Sequence, residues 1–190
     1  MLKKFVTLSY LTIFTFFTQA QTPCIDGMAG DFPCQNIDLL SFVEGSDIGG
    51  GDMNDIWGWV DPTDGTEYVI IGRTNGTAFI DISDPLNPLY VANLPTATYS
   101  SMWRDIKVYN NHAFIVAEAS DHGMQVVDLM QLGEITAPPV TLEPDYLYTG
   151  FSNAHNIVIN ESTARAYGVG TSTFDGGLHI LDISNPTNPQ

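Results

Sequence analysis

The sequence has 190 residues, 22 acidic against six basic side chains, a formal net charge of −16 and 44% apolar residues. So large an acidic excess excludes charge-driven binding to nucleic acid phosphates or anionic lipid, and the apolar fraction excludes general disorder. The length suits one ordinary domain.

The chain opens with Lys3 and Lys4, an apolar and aromatic run from Phe5 to Phe17, and the small residues of Thr18-Gln19-Ala20. This is the layout of a secretory signal over residues 1–20. A membrane anchor is the alternative, but the run is short and interrupted for a span. Losing Lys3 and Lys4 with the leader takes the net charge from −16 to −18. That surface is strongly hydrated and leaves carboxylates free for cations such as calcium.

Residues 21–53 form an N-terminal extension. Cys24 and Cys34 bracket the turn-formers Gly27, Gly30 and Pro33 in CIDGMAGDFPC. In an exported protein a local disulfide is the natural reading. A thiolate metal site is its rival, weakened by the lack of a nearby histidine. Asp47, Asp52 and Asp55 follow in a glycine-rich stretch, GSDIGGGDMND (45–55). They are candidate calcium ligands, although the spacing is not that of an EF-hand. A flexible approach to the first repeat explains the stretch equally well.

From residue 54 the chain repeats with a period near fifty. DISDPLNP (81–88) returns as DISNPTNP (182–189), and Val127-Asp128-Leu129 is a degraded copy between them. Gly76, Gly123 and Gly177 each precede the repeat aspartate by five residues. Upstream, the triplets that start with Asn54/Asp55, Arg104/Asp105 and His155/Asn156 line up, and each opens an apolar run. Further runs cover 68–71, 78–82 and 89–94 in the first unit. In the second they cover 113–117 and 124–129, with a weaker fourth at Val140–Leu142. The third unit has runs at 166–169 and 178–183. All are short and rich in Val, Ile, Phe and Tyr, and Gly, Asn, Asp and Pro separate them. That is strand-and-turn chemistry. The third runs lack alternation, as strands covered on both faces do.

The expectation is therefore an all-β fold, a partial β-propeller of about three four-stranded blades (54–103, 104–153 and 154–190). Propellers close with about four to eight blades. On that count the chain reads as an open fragment of a longer protein. A β-sandwich or a β-solenoid is the alternative architecture. Asp81, Pro85, Asp128, Asp182 and Pro186 are read as a strand-ending turn motif, with the Asp side chain capping backbone amides.

The stretches NDIWGWVDPTDGTEYVIIGRTNGTAFIDISDPLNP (54–88), WRDIKVYNNHAFIVAEASDHGMQVVDL (103–129), YTGFSNAHNIVIN (148–160) and CIDGMAGDFPCQNIDLLSF (24–42) resemble the choice-of-anchor B family. FIDIS, VVDLM and ILDIS look like its LVIVD repeat. The resemblance implies a secreted or surface-held, mostly bacterial β-propeller with varied C-terminal anchors. It implies no established activity.

If the triplets start the innermost strands, Asn54, Asp55, Arg104, Asp105, His155 and Asn156 ring a channel mouth and are the binding candidates. The competing expectation is that they only join neighbouring blades, with Arg104 and Asp105 suited to an ion pair between blades. His155, Asp55 and Asp105 are candidate zinc or manganese ligands if they converge. Trp57, Trp59 and Trp103 are expected to pack between blades, with sugar stacking as the alternative. His122 suits a turn and His179 a contact between blades. Known catalytic motifs are absent from the sequence. The reading is a non-enzymatic binding or scaffold protein without a cofactor, whose partner is an extracellular glycan or protein. A propeller hydrolase acting on a polymer and a calcium-stabilised module are the alternatives.

Overall fold

The structure is a computed structural model and describes residues 21–190. The proposed leader lies outside the described residues. The described residues fall into two compact units that divide between Leu39 and Leu40, fourteen residues before the boundary expected at 53.

In the first unit β1 (Met28–Ala29) and β2 (Phe32–Pro33) form a hairpin. The Cys24–Cys34 disulfide closes around it with a Cα separation of 5.9 Å, as the spacing led us to expect. Asp38 accepts the Cys24 amide at 2.9 Å, and Thr22 and Leu39 exchange backbone hydrogen bonds.

The second unit is all-β. Its small sheets are mainly antiparallel, and none closes into a barrel. The first consists of β3 (Met53–Val60), β4 (Glu67–Arg73), β5 (Gly76–Asp81) and β6 (Leu89–Pro95), paired in chain order. The second begins with β7 (Arg104–Tyr109), β8 (His112–Ala117) and β9 (Met124–Asp128). The fourth strand of this blade is not at Val140–Leu142. A 3-10 turn at Leu129–Glu134 carries the chain back to the first blade, and β10 (Val140–Thr141) pairs there in parallel with β6. The second blade is completed by β11 (Tyr146–Tyr148), antiparallel to β9. The third sheet is β12 (Asn156–Asn160), β13 (Arg165–Val169) and β14 (His179–Asp182). Gln190 exchanges both backbone hydrogen bonds with Asp182, the rung that Leu89 occupies opposite Asp81 in the first blade.

The non-alternating apolar runs are explained by packing on two sides. In the second blade Ala113, Ile115 and Val127 join Ile70, Phe79 and Leu94 of the first blade in one core. Phe114, Val116, Met124 and Val126 turn the other way and join Ile157, Ala166 and Leu181 of the third blade in another. With both faces covered, such strands read as near-continuous apolar runs. The outer faces of the first and third blades differ. Ile56 and Val60 are exposed, as are Val158 and Ile180. Part of the first blade's outer face is covered by the segment before β3, where Ile48 packs on Ala78 and Ile80. Residues 40–53 therefore fold with the repeats and not with the disulfide hairpin.

The repeated aspartates form the same turn three times. Asp81 Oδ1 accepts the Ser83 amide at 2.8 Å, Asp128 Oδ1 the Met130 amide at 3.0 Å, and Asp182 Oδ1 the Ser184 amide at 2.9 Å. Bonds from Ser184, aided by Arg165, hold the Asp182 carboxyl below the usual carboxylate range. The marker glycines are less uniform. Gly76 and Gly123 have φ of 157° and 63°, and a Cβ there would lie 2.3 Å from the Leu94 carbonyl oxygen or 2.2 Å from that of Tyr148. Gly177 has an ordinary φ of −71°.

Gly76→Ala and Gly123→Ala should each destabilise by about 2 kcal/mol or more, because strain adds to backbone collision. Gly177→Ala should cost less than either. Urea denaturation midpoints of the three variants check this order.

Candidate functional site

The triplet positions lie at the starts of β3, β7 and β12, each an edge strand of its sheet. An edge strand leaves alternate amides without a ladder partner. Here the aspartate of one blade supplies the partner for the next. Asp55 Oδ2 accepts the Ile106 amide at 2.8 Å. Fifty residues on, Asp105 Oδ2 accepts the Ile157 amide at 2.8 Å and the Asn156 side-chain amide at 3.1 Å. Lys107 pairs with the Asp105 carboxylate, donates to the Ile106 carbonyl at 2.9 Å and lies 4.5 Å from the Trp57 ring centroid. Burial raises the Asp55 carboxyl above its ordinary value, while the Ile106 amide opposes the shift. Asp55, Asp105 and Asn156 thus serve the joints between blades.

The first members of the triplets diverge. The Asn54 side-chain amide is buried with neither atom hydrogen-bonded. Arg104 does not pair with Asp105. It is buried and turns toward the first blade, where Nε donates to the Arg73 carbonyl at 3.1 Å and Nη2 to Thr96 Oγ1 at 3.0 Å. Its Nη1 donates to His122 Nε2 at 2.8 Å. Because an arginine only donates, that nitrogen carries no proton, and Nδ1–H donates to the Gly123 carbonyl at 3.1 Å. Burial, and then the neighbouring Arg73, bring Arg104 down to about 10. Burial is also the main reason His122 is lowered to about 4. His122 therefore does more than shape a turn.

His155 goes to a third place. Its Nδ1 pairs with the Glu118 carboxylate, and its ring lies 6.4 Å from that of Trp103. The backbone fixes this group. The Glu118 amide donates to the Trp103 carbonyl at 3.3 Å, and Asn153 Nδ2 donates to the Glu118 carbonyl at 3.1 Å. Trp103 is 56% exposed, and Met102 and Tyr99 beside it in sequence are also exposed. Trp59, by contrast, is buried, stacks on Tyr68 and donates to Asn111 Oδ1 at 3.2 Å. Trp57 is partly exposed under Lys107. His179 bridges the second and third blades, between the Tyr148 hydroxyl and Thr173 Oγ1, each at 2.8 Å.

The six binding candidates therefore do not form one ring of side chains. Among the described residues, neither Asp47, Asp52 and Asp55 nor His155, Asp55 and Asp105 form a metal-holding cluster. Two of these carboxylates are committed to different joints. The spacing of the repeat did not point to Glu118, Arg73 or His122. A signal was present for the first two, each a charged residue ending an apolar run, in a chain with only six basic residues.

Asp105→Ala should destabilise by about 3 kcal/mol, since it strips the partner from a buried amide and from Lys107. Asp55→Ala, less buried, should cost less. Denaturant midpoints with an unchanged slope check both. A second outcome concerns pH. The folded chain takes up the His122 proton only near pH 4, the unfolded chain near 6.5. The contribution to stability is whole above pH 6.5, falls as the pH drops toward 4, and levels off below. The loss across that window is about 3 kcal/mol. His122→Gln should flatten the wild-type slope there, which melting at stepped pH would reveal.

The LVIVD repeat model matches residues 66–96 and 172–190. These segments contain the first and third copies of the aspartate turn, and the degraded middle copy lies outside them. No curated protein matches the chain. With the joints described above, the match to these two segments supports a repeat protein on an open, propeller-like all-β frame.

Proposed function

We propose that the chain is an extracellular binding module of the choice-of-anchor B type, without catalytic turnover, and that it binds a glycan beside Trp103. The observation that carries this reading is the Trp103, Glu118 and His155 group: a broad, exposed aromatic face next to a polar pair that backbone hydrogen bonds hold in place. An indole face stacks on the apolar face of a pyranose, and the carboxylate and imidazole suit its hydroxyl groups. The Cys24–Cys34 disulfide is compatible with an oxidising compartment, as export requires. Among the described residues no helix is long and apolar enough to cross a membrane.

The test is calorimetry against a panel of neutral oligosaccharides. Trp103→Ala and His155→Ala should each weaken binding by roughly tenfold or more, equivalent to about 1.4 kcal/mol, with an unchanged melting temperature. A panel that yields no binder, or a binder indifferent to Trp103→Ala, counts against the glycan. Release of reducing ends that His155→Ala abolishes would replace the binding module with a hydrolase.

A further inference from the structure

We propose that the cavity over Arg73, at the outer edge of the first blade, is a subsite for a small oxyanion, a carboxylate or a sulfate group. The cavity measures about 250 Å³, and Gly49, Asn75, Tyr90, Asn93 and Thr141 are among its walls, which include no acidic residue. It is small for a drug-sized ligand and suits one compact group.

Arg73 lies directly behind that wall. Its Nη2 donates to Asn93 Oδ1, its Nη1 donates to the Gly50 carbonyl at 3.3 Å, and the Tyr90 hydroxyl lies against the guanidinium. A Cβ on Gly49 would stand 2.2 Å from Nη1. Arg73 is 1% exposed, and its Nε has no hydrogen-bond partner. The cations are not neutralised. Among the described residues neither Arg73 nor Arg104 forms an ion pair. The charged group acting on Arg104 is Arg73, of the same sign.

The buried Arg73 guanidinium therefore acts through a neutral, hydrogen-bonding wall, where low polarisability strengthens its field. A buried charge without a counter-charge is costly, and an anion in the cavity relieves that cost. Tyr90 and Thr141, both on its walls, carry hydroxyl groups that suit an oxyanion. The surface is acidic overall, so attraction is confined to this cavity and selects a compact group over a polyanion.

The experiment uses the whole chain and amide NMR shifts at constant ionic strength. One arm adds sodium sulfate against sodium chloride, and the other adds glucuronate against glucose. The amides of Gly49, Asn75 and Asn93 should shift saturably with sulfate, glucuronate or both, and not with chloride or glucose. The responding arm identifies the source of the oxyanion. Thr141→Glu sets a carboxylate at the exposed rim without touching the core, and should weaken binding at least tenfold. Trp103→Ala should leave it unchanged, which separates this site from the glycan face. Arg73→Gln should abolish binding; if that variant does not fold, Thr141→Glu alone decides. Shifts that fail to saturate, or that persist unchanged in Thr141→Glu, overturn the proposal.

Discussion

The fold depends on a carboxylate that reaches from the inner strand of one blade to an amide of the next. Each inner strand has a free edge, and a free edge near a packed interior needs partners for its backbone. Asp55 and Asp105 supply them at Ile106 and Ile157. The bond fixes the distance and register at which neighbouring inner strands sit. The apolar faces then close behind it, with Ile70 and Phe79 meeting Ile115 on one side and Phe114 meeting Ile157 and Leu181 on the other. A polar contact sets the geometry, and burial of apolar surface supplies most of the stability.

Much of this frame was legible in the sequence because a repeat forces equivalent positions into equivalent environments. The aspartate turns appear three times with the same bond from Oδ1 to the amide two residues on. The triplets stand at the start of an edge strand in each sheet. Other features escaped because period carries no information about where a side chain points. Arg104 stands beside Asp105 in sequence, but neighbours on a strand point to opposite faces, so the arginine enters the first blade while the aspartate reaches the third. The long connection after β9 misled for a related reason. Val140 has the residue type of a strand and does pair, but with β6 of the preceding blade, and Tyr146–Tyr148 takes the expected place. His155 was identified as a candidate, yet its partner Glu118 lies 37 residues away, outside any repeat spacing.

Charge is distributed unevenly between surface and interior. The chain carries 22 acidic residues, yet its two buried arginines find no carboxylate among the described residues. They bond instead to carbonyl, hydroxyl, amide and imidazole groups, which solvate a cation without cancelling it. His122 can accept from Arg104 only while neutral, so arginine and histidine reinforce each other's charge states. The arrangement is steric as well as electrostatic: glycines at 49 and 76 leave space for a guanidinium and for a neighbouring strand.

The inter-blade carboxylate has a direction, since the first blade gives it to the second and the second to the third. Partner residues are 51 and 52 apart. The entropy lost on closing such a loop is thus the same at every joint and does not grow with the number of blades. Each new blade needs only the one before it, as in other linear arrays with nearest-neighbour coupling. A chain emerging from the ribosome can consequently seat its blades one at a time, in the order in which they are translated.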